Sequence, residues 1–212
     1  MRTDEFIAAL AEDTGPPGSP PQRVLWFAVA AGAVIACIVF WALLGPRPDF
    51  VTAVQTSRFI FKFVISLALA FSAFVALRQM VRPEMGGRPL NATLLTAPVL
   101  LLIAVVLELL AVPSAQWVAR WIGQNSVHCM TFIPILSLGP LAVLLFVLRA
   151  CASTAPAKTG ALAGLLAGGI GAFFYAAHCP DDSPLFVACW YTIAITFVTG
   201  VGALVGARLL RW

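Results

Sequence analysis

Charged residues are scarce in this chain. Only 10% of its 212 residues are charged, 61% are hydrophobic, and the mean hydropathy is +0.96. Soluble domains carry roughly a quarter charged residues, so this chain has too few polar groups to cover a water-facing surface. A soluble globular domain is therefore excluded, and the single domain expected from the length is predicted to be solvated by lipid.

Clusters of basic residues are also lacking, although the formal net charge is +4 and the pI is near 9.0. The Lys and Arg residues stand singly at the ends of apolar runs. A nucleic-acid-binding surface needs basic residues gathered in a patch or stripe, whereas single basic residues beside apolar runs are typical of membrane topology signals. We therefore expect no nucleic-acid partner.

Motifs of enzymes and zinc proteins are missing as well. The five cysteines form no CxxC pair, which excludes zinc-ribbon and thioredoxin-type sites. The sequence has no phosphate loop, no HExxH and no recognisable Ser-His-Asp set. The first 23 residues are polar and partly acidic, unlike the basic start of a secretory signal. The prediction is a protein that is not an enzyme and requires no cofactor.

Long apolar runs, in contrast, are abundant. Crossing a hydrocarbon core of about 30 Å takes about 20 apolar residues in a helix. Without water to satisfy backbone groups, each run should be helical. The predicted fold is an all-α integral membrane protein with six transmembrane helices between a segment at 1–23 and a short tail at 208–212. The predicted spans are Val24–Leu44, Arg58–Leu77, Thr93–Val112, Thr131–Leu148, Gly160–Ala177 and Pro184–Ala207.

The orientation follows from the basic residues, which favour the cytoplasmic side. With the N-terminus inside, nine basic residues are cytoplasmic and four are not. We therefore predict a bacterial inner-membrane protein with both termini in the cytoplasm. The cytoplasmic set is Arg2, Arg23, Arg78, Arg82, Arg88, Arg149, Lys158, Arg208 and Arg211, and the other set is Arg47, Arg58, Lys62 and Arg120.

The N-terminal segment has features of a binding helix. Thr3 can cap a helix, Asp4 favours its positive end, and Phe6, Ile7 and Leu10 form one apolar stripe. About eleven residues are too few for a stable helix alone in water. A Pro/Gly/Ser-rich tether follows. Two interpretations stay open: a segment that folds into a partner's groove, or an ordinary disordered tail.

Both histidines of the chain directly precede a cysteine, as His128-Cys129 and His178-Cys179. The two dipeptides lie at the outer ends of the fourth and fifth predicted helices, which form one antiparallel hairpin. Both should therefore emerge on the same outer face, where Asp181 and Asp182 follow as further candidate ligands.

Three interpretations of this cysteine pair stay open. The first is a thiol pair that senses oxidants or a metal, in which Cys129, Cys179, His128 and His178 could form a tetrahedral site for zinc or a related ion. The second is a structural disulfide, which requires Cα atoms within about 7 Å. The third is a pair of inert buried residues. If the pair is a sensor, the bound divalent metal or the disulfide would be a transient signal.

Charges inside the predicted spans are few. Glu108 lies about one turn inside the outer end of the third helix, and Arg58 and Lys62 lie one turn apart at the outer end of the second. Antiparallel neighbours bring these charges to similar depth, which predicts a Glu108–Lys62 or Glu108–Arg58 pair. Such residues also raise the possibility of transport, although none lies near the centre of a span.

Glycine recurs at every fourth position of the fifth helix, and Gly202 and Gly206 repeat the spacing on the sixth. Lines of missing side chains allow helices to approach closely. The pattern predicts tight packing between these two helices.

The sequence resembles the NrsF-like bacterial anti-sigma factors over essentially its whole length. The resemblance includes the start Met1–Leu10, six spans, Lys62, Arg149 before the Pro156 loop and the glycine-rich fifth helix. Its most specific part is Tyr-Ala-Ala-His-Cys-Pro-Asp-Asp-Ser at 175–183, which leads to Trp190-Tyr191.

This resemblance implies a membrane anti-sigma factor that holds an extracytoplasmic-function sigma factor away from RNA polymerase. The cytoplasmic N-terminal segment is then the expected sigma contact. Cys129 and Cys179 match the two outer cysteines expected to sense metal or oxidative stress. The identity of the sigma factor, the inducing ion or oxidant and the oligomeric state stay open.

Two functions from other classes are alternatives. A thiol-redox membrane enzyme could pass electrons from periplasmic thiols to quinone, but such enzymes use two closely paired cysteines. A small-solute transporter would explain six spans, but central polar residues and internal repeats are lacking.

Overall fold

The computed structural model describes residues 21–81, 90–151 and 153–211 of the chain. Within these ranges all regular elements are helical, and six helices are long and apolar enough to cross a membrane. This confirms the predicted helical class and the predicted number of helices suited to cross a membrane. We label their main helices α1 (Pro21–Leu43), α2 (Ser57–Val81), α3 (Thr96–Ala111), α4 (Ser126–Leu148), α5 (Pro156–Ala176) and α6 (Thr192–Leu209).

Short helices occupy several of the connections. Phe50–Ala53 lies between α1 and α2, and Leu90–Leu94 directly precedes α3. A further short helix, Trp117–Ile122, lies between α3 and α4. The last span begins with Pro184–Phe186 and continues through a π-helical turn, Val187–Tyr191, into α6.

The predicted N-terminal binding helix, with Thr3, Asp4, Phe6, Ile7 and Leu10, lies outside the described residues. Its contact with a partner therefore stays a prediction.

The fourth span begins earlier than its apolar run predicts. Helix α4 starts at Ser126, five residues before the predicted boundary at Thr131, so Cys129 lies inside the helix. The polar first turn is helical because Asp181, distant in sequence, accepts hydrogen bonds from the backbone N–H groups of Gln124 and Asn125. Such a tertiary contact cannot be read from the hydropathy of the run.

Helix α5 forms the centre of the bundle. It packs against α6, α2 and α4, while α1 packs mainly on α4. Small residues allow this central position: a Cβ atom at Gly164 would lie 2.6 Å from the backbone oxygen of Val198 on α6. The close α5–α6 packing predicted from the glycine spacing is therefore present. Helix α3 is peripheral, packs chiefly on α2, and leaves most of its apolar side chains exposed.

The interior divides into two clusters of buried apolar residues, one toward each end of the bundle. One cluster contains Leu25, Leu77 and Leu148, near the start of α1 and the ends of α2 and α4. The other contains Cys129 and Cys179. We call the end of the bundle around these two residues the cysteine end.

Candidate functional site

The two cysteines predicted as a pair lie in one buried cluster at the cysteine end. Cys129 projects from the first turn of α4, and Cys179 lies in the connection between α5 and α6. Both side chains are fully buried, and both are free thiols. The sequence prediction that the two dipeptides share one end of the molecule is therefore consistent with the structure.

The environment of Cys179 makes its thiol unreactive in this arrangement. Burial raises the pKa of the Cys179 thiol above its ordinary value, although the positive charge of Lys62 opposes part of this effect. The Cys179 Sγ atom makes a weak hydrogen bond, 3.9 Å long, to the backbone oxygen of Asp181. Because the thiolate is the nucleophile and the metal ligand, a reaction at Cys179 requires this site to open.

Two tyrosines complete the cluster, and sequence reasoning missed their position. Tyr175 and Tyr191 are fully or almost fully buried, and their ring centroids lie 5.9 Å apart. In the described part of the chain neither hydroxyl has a hydrogen-bond partner. The Tyr175 hydroxyl lies near the Cys179 thiol, but not in the geometry of a hydrogen bond. A signal was available, since the chain has only two tyrosines and they flank the Cys179 connection.

The histidines do not join the cysteines. His128 is exposed, and its ring stacks against Phe132 at 6.2 Å. The Nδ1 atom of His178 lies 3.0 Å from the backbone oxygen of Gly45. Among the described residues, no group of three or more His, Cys, Asp and Glu side chains could hold a metal ion. A metal site made of Cys129, Cys179, His128 and His178 is therefore not assembled in this arrangement, and metal capture stays a prediction that requires rearrangement.

Asp181 holds the start of the helix that carries Cys129. Its carboxylate accepts hydrogen bonds from the backbone N–H of Asn125 at 2.9 Å, from that of Gln124 at 3.1 Å and from the Asn125 side-chain amide at 3.1 Å. Gly123, with φ +62°, makes the turn before them, and a Cβ atom there would collide with Phe186. The Cys179 connection thus fixes the N-terminus of α4.

Asp182 makes a second set of contacts, with cations from two other segments. Its carboxylate lies 2.6 Å from Lys62 Nζ on α2 and 3.0 Å from Arg47 after α1. The same two cations donate to the backbone oxygen of Cys179, at 2.7 Å from Lys62 and 3.4 Å from Arg47. Ser183 then accepts from the Leu185 N–H and caps the first turn of the last span.

Arg47 is also bound to Asp49, with N–O distances of 2.6 Å. This contact is the largest of several that raise the pKa of the Arg47 guanidinium, and it holds the pKa of Asp49 below its ordinary value. The Arg47 side chain therefore remains charged and has two carboxylate partners.

Glu108, the carboxylate predicted to pair with a cation of α2, pairs with Arg58. Glu108 is only 5% exposed and lies 2.9 Å from Arg58 Nε. Lys62, the alternative partner, contacts Asp182 instead. Arg120, from the short Trp117–Ile122 helix, is a second partner at 2.8 Å that sequence reasoning missed. These ion pairs connect α3 with α2 and with the Trp117–Ile122 helix, which supports a structural role for Glu108.

Comparison with known proteins supports the resemblance over nearly the full length. A sequence model of the family described as "Negative regulator of sigma F" matches residues 10–212. The chain belongs to the NrsF family. It is 32% identical over 216 residues to the anti-sigma-F factor NrsF of Caulobacter vibrioides, and 29% identical over 214 residues to the probable anti-sigma-F factor NrsF of Azospira oryzae. Both alignments cover 100% of each chain. No solved structure matches the chain.

Membership of the NrsF family confirms the expectation that this chain is a regulatory protein rather than an enzyme. The quinone-coupled enzyme considered above gains no support from these relatives. The segment that carried the resemblance, Cys179-Pro-Asp-Asp-Ser183, also contacts three other parts of the cysteine end, through Arg47, Lys62 and the residues Gln124 and Asn125. Its specificity in sequence therefore has a structural explanation.

Proposed function

We propose that this chain is a membrane anti-sigma factor. In this proposal it crosses the inner membrane six times and holds an extracytoplasmic-function sigma factor through its cytoplasmic N-terminal segment. Metal or oxidative stress at Cys129 and Cys179 releases the sigma factor. The observation that carries the proposal is the full-length match to two relatives named as anti-sigma-F factors, combined with six helices suited to a membrane.

The charges of the bundle support an orientation with both termini inside. At the cysteine end, the four basic residues all lie in ion pairs with Asp49, Asp182 or Glu108. Among pairs in which both residues are described, none involves a basic residue of the opposite end. An excess of Lys and Arg in short loops is typical of the cytoplasmic side, and the predicted topology assigns nine of the 13 basic residues to this opposite end. The cysteine end then faces the periplasm, where thiols meet oxidants.

Two reactions could deliver the signal. A two-electron oxidant such as a peroxide would take two electrons and two protons from the Cys129 and Cys179 thiols as their disulfide forms. A soft divalent cation would instead displace the two thiol protons and bind both sulfurs. The location of both thiols in one cluster supports either reaction, and their burial means that the site must open first.

Release requires a difference in free energy between two arrangements of the bundle. A change from mostly bound to mostly free takes a few kcal/mol of preference for one arrangement. Closing a disulfide or binding a metal supplies roughly that amount.

The test is a pull-down of the intact protein from detergent-solubilised native membranes, beside a version lacking Met1–Ser19. Mass spectrometry identifies what each retains. We expect the full chain to retain a sigma factor and the shortened chain to lose it. Equal membrane levels of both versions, measured by immunoblot, are the control. Absence of a sigma factor from both samples would refute the proposal.

A further inference from the structure

Lys62 is a fully buried cation with its acceptors in one short stretch of chain. Its side chain is 0% exposed. Its ammonium lies 2.6 Å from Asp182 Oδ1 and 2.7 Å from the backbone oxygen of Cys179. The ring of Phe59, 5.3 Å away, covers the ammonium on another side. A buried charge is tolerated only when such partners replace its water, so Lys62 depends on the position of residues 179–182.

The dependence also holds in the opposite direction. The backbone of Cys179 is fixed by hydrogen bonds to a cation on another helix, so the position of the thiol depends on Lys62. Arg47 makes similar contacts, but it has Asp49 as a second carboxylate partner. Among the described residues, Asp182 is the carboxylate paired with Lys62. If residues 179–182 move, Arg47 stays paired with Asp49, whereas Lys62 loses the carboxylate and the carbonyl oxygen that contact its ammonium directly.

We propose that Lys62 and Asp182 form a latch that holds Cys179 buried, and that opening this latch is the step that passes the cysteine signal to helix α2. Lys62 is thus a positioning residue for the sensing site. The transfer of a signal to α2 rests on the proposed function. The contact that holds Cys179 buried does not depend on a sigma factor.

Helix α2 is suited to carry the change because it continues without interruption to the opposite end. From Lys62 to Phe74 it covers about 18 Å at 1.5 Å per residue. Phe74 is buried there against Trp26 of α1, with ring centroids 4.3 Å apart, and Arg78 lies over Phe74 at 5.8 Å. Trp26 follows the N-terminal segment closely in sequence. A shift of α2 therefore reaches the start of α1, next to the proposed sigma contact.

The latch also explains why the response would be switch-like. A partial movement of residues 179–182 would leave the Lys62 ammonium buried without its acceptors, which is unfavourable. The stable arrangements are therefore one with the latch formed and one in which Lys62 has found water or another partner. Packed elements with two discrete arrangements are the usual carriers of such coupling.

The test compares Lys62→Met with Arg58→Met. Methionine keeps the length of the lysine side chain and removes its charge, and Arg47 still neutralises Asp182 in this variant. Arg58 is the matched control, because it lies one turn earlier on α2 and pairs with Glu108 rather than with residues 179–182. In native membrane vesicles, peptide mass spectrometry gives the rate at which a maleimide labels Cys179. A reporter gene gives sigma-dependent transcription in the same strains.

We expect Lys62→Met to raise the labelling rate of Cys179 by about tenfold or more, since local opening of a buried site controls its access. Arg58→Met should stay near the wild-type rate, and Lys62→Arg should restore most of the protection. Reporter activity should rise without stress in Lys62→Met at normal membrane levels. If Lys62→Met does not accumulate, Asp182→Asn breaks the same latch and should also raise labelling.

An unchanged Cys179 labelling rate in folded Lys62→Met or Asp182→Asn would overturn the latch. Faster labelling with an unchanged reporter would overturn the coupling to α2. The pull-down described above tests the sigma partner separately, so failure of the proposed function and failure of the latch give different results.

Discussion

Replacing Gly164 with alanine should separate the two most closely packed helices. The new Cβ atom would lie 2.6 Å from the Val198 backbone oxygen and 2.8 Å from the Thr199 Cα atom. Ordinary van der Waals contact begins at 3.4 Å, so the backbones must move apart by about 0.8 Å at this point. Both colliding atoms belong to the backbone of a helix, so a side-chain rotation cannot relieve the contact.

The expected destabilisation is about 1–3 kcal/mol, the usual cost of inserting a methyl group into a packed interior. The matched control is Gly200→Ala on α6, next to the colliding Thr199, where nothing lies within 4 Å of the added Cβ atom. Alanine favours helix over glycine by up to about 1 kcal/mol, so the control should be neutral or slightly stabilised.

The measurement is reversible unfolding of the purified protein in mixed detergent micelles by added SDS, followed by helicity. A Gly164→Ala protein as stable as Gly200→Ala would refute the argument that α5 and α6 pack backbone to backbone. The double variant with Gly202→Ala adds a second check. A Cβ atom at Gly202 would lie 2.9 Å from Gly164 Cα, so one separation of the helices relieves both contacts. The combined destabilisation should therefore be smaller than the sum.

Three further predictions concern signalling and topology. Cys129→Ser or Cys179→Ser should abolish stress induction of a sigma-dependent reporter at normal membrane levels. Cys189→Ser, which lies outside the buried cluster, should respond normally. Induction in all three variants would remove the sensor hypothesis. Phe6→Asp with Leu10→Asp should release the sigma factor without stress, because charge disrupts the apolar stripe, and unchanged repression in the reporter assay would count against this contact. Alkaline-phosphatase fusions should be active after Cys179 and inactive after Met85, and the opposite activities would reverse the orientation.

The number and class of the helices could be predicted because they depend on local properties. A run of about 20 apolar residues has few alternatives to a spanning helix in lipid. The rotation of each helix about its axis is less predictable, because apolar side chains suit both lipid and protein contacts. Arg58 and Lys62 lie one turn apart, and hydropathy does not distinguish them. In the structure, however, Arg58 pairs with Glu108, whereas Lys62 contacts residues 179–182.

The candidate site was only partly accessible to sequence reasoning for the same reason. The adjacency of each histidine to a cysteine indicated a site at one end of the bundle. It did not show that the cysteines are buried while His128 is exposed and His178 bonds Gly45. His128 and Cys129 lie within α4, where adjacent side chains point in directions about 100° apart and rarely enter one site. Residues a turn or more away, such as Tyr175 before Cys179, are better candidates for shared contacts.

The connection from Cys179 to Ser183 explains why a reaction at one thiol need not stay local. The Cys179 carbonyl and Asp182 are bound by Lys62 of α2, and Asp181 is bound by the residues that begin α4. Cys129 projects from that same first turn of α4. A bond formed between the two sulfurs, or a metal held by both, therefore acts on a five-residue segment that fixes two helices. Because both helices run to the opposite end of the bundle, we expect a change in this segment to alter the packing there without any additional connecting element.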